Sequence, residues 1–462
     1  MNGVISPEAR ATKRRFAPAR LLVLFVAALL ATVAASALWA KPKAKAKPIA
    51  TNAGPRLKRE LTGSLSTRDG QRLHLVTDLG NIHIHSGNSD KVDYRVLLET
   101  DASAAGAQEL LKQFTLLARE TPEGVLLRGD ATGKQCSGRL WVTFEINAPK
   151  DYNLDVRTGG GNIETEDIDG HITLVTSGGN ISAGSIGGAT RLETGGGHIT
   201  VKDVDGELTA STGGGHIIAG AVRGNATLRT AGGHIRVASI DGVARLDTGA
   251  GGNISVEKAG MELVAETRGG QIEVGEAAGL VHARTGGGGI RVIRSSGPTN
   301  LESGGGSIYL TQVNSAVRAS TNAGGITAWL GNDAKLPGGC DLQSSDGDIV
   351  VYIPRQLPLT VDASIQLGDD HGLFIDPAFP IKVSYGDHSS GPHIVRAEGA
   401  LNGGGEVLRL RTIAGNIRLV LSDANRQVQV YKQQMEQMER KVNELQMRLQ
   451  EHDMSDGPSP DN

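Results

Sequence analysis

Between residues 162 and 326 apolar and polar positions alternate in short bursts separated by glycine-rich turns, and the burst repeats. The isoleucines Ile163, Ile181, Ile199, Ile217, Ile235, Ile254, Ile272, Ile290, Ile308 and Ile326 are 18 residues apart, except for one interval of 19 between Ile235 and Ile254. The second residue after each isoleucine is small and apolar (Ala183, Val201, Ala219, Val237), whereas the residue between varies freely (Glu164, Ser182, Thr200, Arg236). That is strand periodicity, one face in and one out. A further apolar residue comes five after the isoleucine (Ile168, Ile186, Val204, Val222, Ile240). Two later comes a glycine (Gly170, Gly188, Gly206, Gly224, Gly242), which permits a turn that a side chain would obstruct. A second short strand follows, as over 189–194 and 226–230, and the next glycine run closes the repeat.

A fixed period of this length predicts stacked coils, each a rung that must bury its apolar face on its neighbours. The predicted fold is all-β: a single-stranded parallel β-solenoid (β-helix) with 18-residue coils, an N-terminal membrane helix and a C-terminal coiled-coil helix. At about 4.8 Å per rung, ten coils make a rod roughly 45 to 50 Å long. Its interior must be narrow, since Tyr152, Tyr309 and Trp329 are the only aromatic residues from 152 to 330. Glycine density excludes a helical bundle, because each glycine costs a helix about 1 kcal/mol relative to alanine. A left-handed coil of three hexapeptides also has an 18-residue turn. The apolar steps here run two, three and about four rather than six, which ranks that variant second.

The flanks divide the remaining chain. Residues 1–20 form a basic, cytoplasmic segment and 21–40 an uncharged apolar run, long enough to span a bilayer at about 20 residues. Ala35-Ser36-Ala37 leaves open whether the run is a cleaved signal peptide or a retained anchor. Either way the body is expected to be exported. Residues 41–60 read as an extended Lys/Ala/Pro linker, and Lys41, Lys43, Lys45 and Lys47 suit anionic headgroups. Through residue 60 there are 12 basic and 2 acidic side chains, a balance of +10, so the whole-chain charge of −3 leaves −13 for residues 61–462. An acidic body argues against a nucleic-acid partner. Cys136 and Cys340 are the only cysteines, too few for a disulfide scaffold, and are expected to be unpaired thiols.

Residues 61–150 lack the period but hold strand-like stretches around one helical stretch, 102–114, and Gly80-Asn81-Ile82 foreshadows the repeat motif. They read as an N-terminal β-rich cap on a regular solenoid over 151–330. Over 331–422 the solenoid becomes irregular: Gly347-Asp348-Ile349 comes 23 residues after Ile326, and Gly415-Asn416-Ile417 closes the series. Solenoids need irregular ends that hide the last open strand edge. Over 423–452, Val428, Met435, Val442 and Leu449 recur every seven residues, with Tyr431, Met438 and Leu445 three after the first three of them, an a/d seam. One reading is a single helix packed on the rod. The other, which the polar flanks favour, is a coiled coil that makes a homo-oligomer through 424–452. Residues 453–462 read as a disordered tail.

The chain resembles the bacterial putative-adhesin domain family, β-solenoid "toastrack" domains of unknown function that are often attached to membrane segments. The resemblance rests on the strand 142–148 ending at Pro149, on Leu154-Asp155-Val156 leading into Thr158-Gly159-Gly160-Gly161-Asn162-Ile163, on the Asp169-Gly170 turn, and on the closing Arg411 to Ile417 motif. It covers roughly residues 60–422. It implies an envelope protein and transfers no catalytic set; some family members look like sensors or scaffolds in envelope-stress systems. The run of ten regular rungs and the C-terminal heptads depart from the family pattern.

Candidate chemistry is sparse. His198, His216 and His234 precede three successive rung isoleucines and should stack as an outward ladder. Imidazole ligates zinc or copper, but parallel rings do not converge on one ion. With Asn162, Asn180, Asn253, Gln271 and Ser307 in the same column, a polar turn ladder is the preferred reading. Asp167-Ile168-Asp169-Gly170 and Asp203-Val204-Asp205-Gly206 lack the remaining ligands of a calcium loop and read as turns. Asp205, Arg223 and Asp241 should alternate charge up the rod. Asp167 and Asp203, two rungs apart, are the pair to test for a polysaccharide-acting β-helix enzyme, which needs two carboxylates about 5 to 9.5 Å apart. No GxSxG, HExxH, P-loop or CxxC occurs, so no catalytic residue or cofactor is assigned.

The sequence thus points first to an exported, membrane-tethered, non-catalytic structural or adhesion-type module of the bacterial cell envelope, in the periplasm or at the cell surface. An envelope-stress sensor or scaffold that binds a membrane partner comes second, and a polysaccharide-acting enzyme third.

Overall fold

A computed structural model describes residues 56–101, 106–131, 140–366, 373–385, 394–423, 429–430, 432–438 and 440. Each repeat lays down the two strands its pattern predicts, as in Ile217–Val222 and Ala226–Thr230, because the glycine two residues past the fifth-position apolar residue turns the chain between them. The first strands stack as one parallel sheet and the second strands as another. Register is strict. Ile181, Ile199, Ile217, Ile235 and Ile254 pair in succession along the isoleucine-bearing sheet, and Thr176, Thr194, Thr212, Thr230 and Thr248 do so along the other. The inward aliphatic residues of both sheets form one continuous core running the length of the rod.

The two irregular intervals are absorbed in turns. The extra residue between Ile235 and Ile254 lies after Thr248, where Gly251 adopts a φ of 134° that a side chain would strain. Pairing on both sides of it is undisturbed. The 23-residue interval after Ile326 exceeds the period by 5, and it places a loop between Leu330 and Cys340, beyond which Cys340 pairs with Val317.

The rod's ends are made of the same two sheets. Gly80-Asn81-Ile82 is already a rung motif, since Ile82 pairs with Ile163 on one side and Phe144 on the other. Outside it, Arg56–Ser66 pairs antiparallel with Lys91–Asp101, and Phe114–Thr121 pairs antiparallel with Gly124–Ala131. Phe114 and Phe144 meet edge to face at 6.2 Å, so the bulky rings that the narrow coils lack are used to close this end. At the other end Leu359–Ile365 and Lys382–Tyr385 pair antiparallel with Val395–Leu401. Antiparallel ends change the template that an open parallel edge would offer.

The described part of the C-terminal segment is helical and lies on the rod. Thr311 Oγ1 donates a 2.6 Å hydrogen bond to Gln434 Oε1, and Met438 is only 1% exposed. This is the single packed helix; the coiled coil expected over 423–452 is not what the described residues form. The seam residues are apolar for the same reason in either case, because a short helix is marginal in water without a surface to cover. No described helix is long and apolar enough to cross a membrane, and the expected membrane segment 21–40 lies outside the described residues. So do Cys136 and the tail 453–462.

Candidate functional site

The turns that close each rung carry most of the ordered polar groups, and their geometry follows from three residue columns. In the first, a threonine ends the second strand and points inward. Thr212 Oγ1 donates to the carbonyl of Gly197 one rung back at 2.8 Å and accepts the N–H of Gly215 in its own turn at 3.1 Å. Thr176, Thr194, Thr230, Thr267 and Thr285 repeat the pattern. These hydroxyls are buried, and a buried polar group is stable only when hydrogen-bonded. The last glycine of each turn is required by close approach: a Cβ on Gly215 would sit 2.0 Å from the carbonyl oxygen of Gly197.

The second column contains the histidines singled out from sequence. Asn81, Asn162 and Asn180 each accept, through Oδ1, the backbone N–H of the next column member, at 2.8 to 2.9 Å. His198, His216 and His234 do the same through Nδ1, at 2.8 to 2.9 Å, ending on Asn253. The rings stack with centroids 4.9 and 4.8 Å apart and interplanar angles of 14° and 9°. An Nδ1 that accepts an N–H leaves the ring proton on Nε2, so the outward nitrogen is a donor and has no lone pair for a metal. Burial, with His198, His234 and Arg236 nearby, depresses the pKa of His216. The ladder therefore holds neutral imidazoles as backbone acceptors, interchangeable with asparagine.

The aspartates fall in a third column of the same kind. Asp167 Oδ1 accepts the N–H of Ser185 and Asp203 Oδ1 that of Ala221, both at 2.8 Å. Their carboxylates are turn acceptors joining successive rungs. Arg223 meets Asp205 at 2.8 Å, a link in the expected charge ladder, on an exposed face where such pairs contribute less than about 1 kcal/mol. Among the described residues no three His, Cys, Asp or Glu side chains are grouped so as to hold a metal ion. Cys340 is a buried free thiol whose pKa is pushed up to about 11 by burial.

Two groupings escaped the sequence reading. Across the first strands runs a row of opposed charges: Arg95 bonds Glu60 at 2.8 Å and Glu145 at 3.0 Å, and His83, whose strand neighbours are Glu145 and Glu164, bonds Glu164 at 3.0 Å. The hydrogen bond to Glu164 raises the pKa of His83 and lowers that of the carboxylate. The alternation Ile82-His83-Ile84-His85 signalled an outward histidine pair, but its partners lie some 80 residues away. The second grouping is on the outer face beneath the helix. Counted from the rung isoleucine, the fourth residue is a large apolar side chain at Ile293 and Trp329, whereas earlier rungs have small or charged residues there, such as Gly184, Lys202 and Gly220. Ile293 is fully buried there, although it stands outside the continuous core. Tyr309, Arg291, Gln434 and Gln437 line a cleft of about 190 Å³ between helix and sheet.

Solved structures show what the chain is similar to. A protein of Clostridium sporogenes, described as a putative cell adhesion protein, matches over 80% of this chain and 100% of its own at 9% identity, with a TM-score of 0.19. A putative adhesin of Bacteroides fragilis matches over 63% of this chain and 96% of its own at 12% identity and a TM-score of 0.23. A putative lipid binding protein of Parabacteroides distasonis matches over 65% and 98% at 12% identity and 0.25. Two of these three neighbours are thus described as adhesion proteins and the third as a lipid binding protein. No family model and no curated protein matches the chain.

Proposed function

We propose that this chain is an exported, membrane-tethered and non-catalytic surface module of a bacterial cell envelope, in which the rod sets a fixed distance and presents repeated outward columns to a ligand or neighbouring surface. One observation carries this reading: the side chains that could have been catalytic or metal-binding, Asp167, Asp203, His198, His216 and His234, are engaged in backbone hydrogen bonds between rungs. They build the rod. An acidic body with ordered polar columns and few aromatic platforms suits presentation better than processing of a sugar chain.

The test is made in intact cells. An affinity tag placed in the loop between Leu330 and Cys340 is expected to be reached by antibody at the outer surface, and the protein is expected in the membrane fraction with residues 21–40 attached. A protein found only in the cytoplasm overturns the reading. A tag shielded until the outer membrane is opened, together with a stoichiometric crosslinked membrane protein, favours the sensor or scaffold reading. Release of reducing ends from envelope polysaccharide, abolished by Asp167→Ala and Asp203→Ala, would instead assign an enzyme.

A further inference from the structure

The two ends of the rod treat their outermost strands differently. Among the described residues, the last strands at the C-terminal end, Ile375–Pro377 and Lys382–Tyr385, are three and four residues long. Very short edge strands offer little backbone for another chain to pair with. At the N-terminal end the isoleucine-bearing sheet finishes on Arg56–Ser66, eleven residues long and paired, among the described residues, on one side only, with Lys91–Asp101.

The register shows which groups this strand leaves open. Thr67 donates its N–H to the carbonyl of Asp90 at 2.9 Å, so in this antiparallel pair the odd-numbered residues turn their N–H and C=O toward the neighbouring strand. Arg56, Lys58, Glu60, Thr62, Ser64 and Ser66 turn theirs the other way. Ser66 agrees with that alternation, because its N–H is taken by a side chain, the carboxylate of Glu120 at 2.7 Å, and not by the neighbouring strand. The other five have no backbone partner on the open side among the described residues. Leu57, Leu61 and Leu65 of the same strand pack on the core but are only partly covered.

We infer that this open edge pairs with the same edge of a second copy, antiparallel and about a two-fold axis at Leu61, so that the isoleucine-bearing sheet runs through from one rod into another. Self-complementarity selects the occupant, as a two-fold interface requires. Centred on Leu61, the strand matches itself over its whole length: Leu57 faces the second copy's Leu65, Leu61 faces Leu61, Lys58 faces Ser64, Arg59 faces Gly63 and Glu60 faces Thr62. The apolar row continues, and no like charges stand directly opposite one another. Moving the centre to Glu60 opposes two carboxylates, and moving it to Thr62 sets Arg59 against Leu65. Either shift breaks the leucine row. The charge of Glu60 is met within its own copy, where Arg95 bonds it at 2.8 Å. The backbone groups of Lys58, Glu60, Thr62 and Ser64 then close the new ladder. This pairing does not depend on export or tethering, and it doubles the length over which the outward columns are presented.

The test uses the full chain in detergent, with mass measured by light scattering. The wild type is expected to have twice the mass of one chain. Thr62→Pro removes an N–H that only the second copy would use, and proline is tolerated on an edge strand whose N–H faces outward. It is expected to halve the mass while leaving the circular dichroism unchanged. A monomeric wild type, or a dimer that a folded Thr62→Pro leaves intact, overturns the inference. A monomer in which amide exchange at Lys58, Glu60, Thr62 and Ser64 is slow would show that another part of the same chain covers the edge, and overturns it too.

Should the proline variant fail to fold, register decides. In a Cys136→Ala background, where Cys340 is buried, chains carrying Lys58→Cys are co-expressed with chains carrying Ser64→Cys, both at exposed positions. The pairing sets these two residues about 5.5 Å apart between Cα atoms, within disulfide reach. Each lies about 20 Å from its own symmetry mate. Mild oxidation is expected to give a covalent dimer from the mixture and none from either chain alone. Dimers from a single variant, or none from the mixture, overturn the pairing.

Discussion

The backbone N–H of His216 is held 2.9 Å from Nδ1 of His198, one rung earlier, so an imidazole does in this rod what an asparagine amide does two rungs below. A base used as an acceptor makes part of the rod sensitive to acid. His216 has a depressed pKa, so the stability it contributes is fully present above the ordinary histidine value of 6.5 and is lost as the pH falls toward its folded value. Protonation also places a second donor against the N–H of His234. Lowering the pH from about 7.5 to about 5.5 is expected to reduce amide protection, after correction for the intrinsic pH dependence of exchange, in the strands from Ile199 to Ile254. His216→Asn, which keeps an acceptor, is expected to blunt that response; an unchanged pH profile would refute the ladder's role.

His83 provides the opposite sign. Its pKa is raised by Glu164, so the pair's contribution is present below the ordinary histidine value and fades as the pH rises through the folded value, while the lowered pKa of Glu164 sets the acid limit. His83→Ala is expected to cost less than about 1 kcal/mol at pH 6, the range of exposed pairs, and nearly nothing at pH 9. Urea titrations of wild type and variant at the two pH values measure the difference.

The threonine column is expected to be the costlier one to disturb. Thr212→Val keeps the shape but leaves the Gly197 carbonyl and the Gly215 N–H unpaired in a buried turn, at about 1 to 3 kcal/mol for a stranded polar group. Thr212→Ser is expected to recover most of it. Because solenoids open rung by rung, local exchange at Ile199 and Ile217 is a better readout than a global midpoint.

Adjacent glycines in one turn are expected to behave differently. Gly215→Ala drives a methyl into a carbonyl at 2.0 Å and is expected to cost about 1 to 3 kcal/mol or to break the turn. Gly214→Ala, whose nearest neighbour is 3.8 Å away, is expected to stay within about 0.5 kcal/mol of wild type. Equal effects would show that the turns are not packed as described.

Cys340, buried and with its pKa pushed up to about 11, is expected to resist alkylation at pH 8 while the rod is closed and to react fully in denaturant. Mass spectrometry across a urea series would then follow the opening of the rung of Cys340, which lies between those of Val317 and Leu408.

How much of this could be read from the chain divides along the reach of the signal. The rungs were legible because Ile199, Ile217 and Ile235 repeat a short local pattern, and strict register only restates it in three dimensions. The histidine ladder was legible as a column, but its role depended on which ring nitrogen met the backbone, and spacing does not encode that. The row through Glu60, Arg95, Glu145, His83 and Glu164 was hidden, because antiparallel end strands bring together residues with no common period. The heptads told correctly that Met435 and Met438 need an apolar partner. They did not tell which surface supplies it, since a seam fits a second helix or a sheet face equally well.

The extra residue beside Gly251 shows how such a chain can change over generations. Insertions fall into loops at the corners while the paired strands keep their places, and a whole added repeat would find every neighbour it needs in the one beneath it. Copying errors of fifty-four nucleotides therefore alter how far this molecule extends without altering how it is built, so that its reach is a trait selection can tune in single steps.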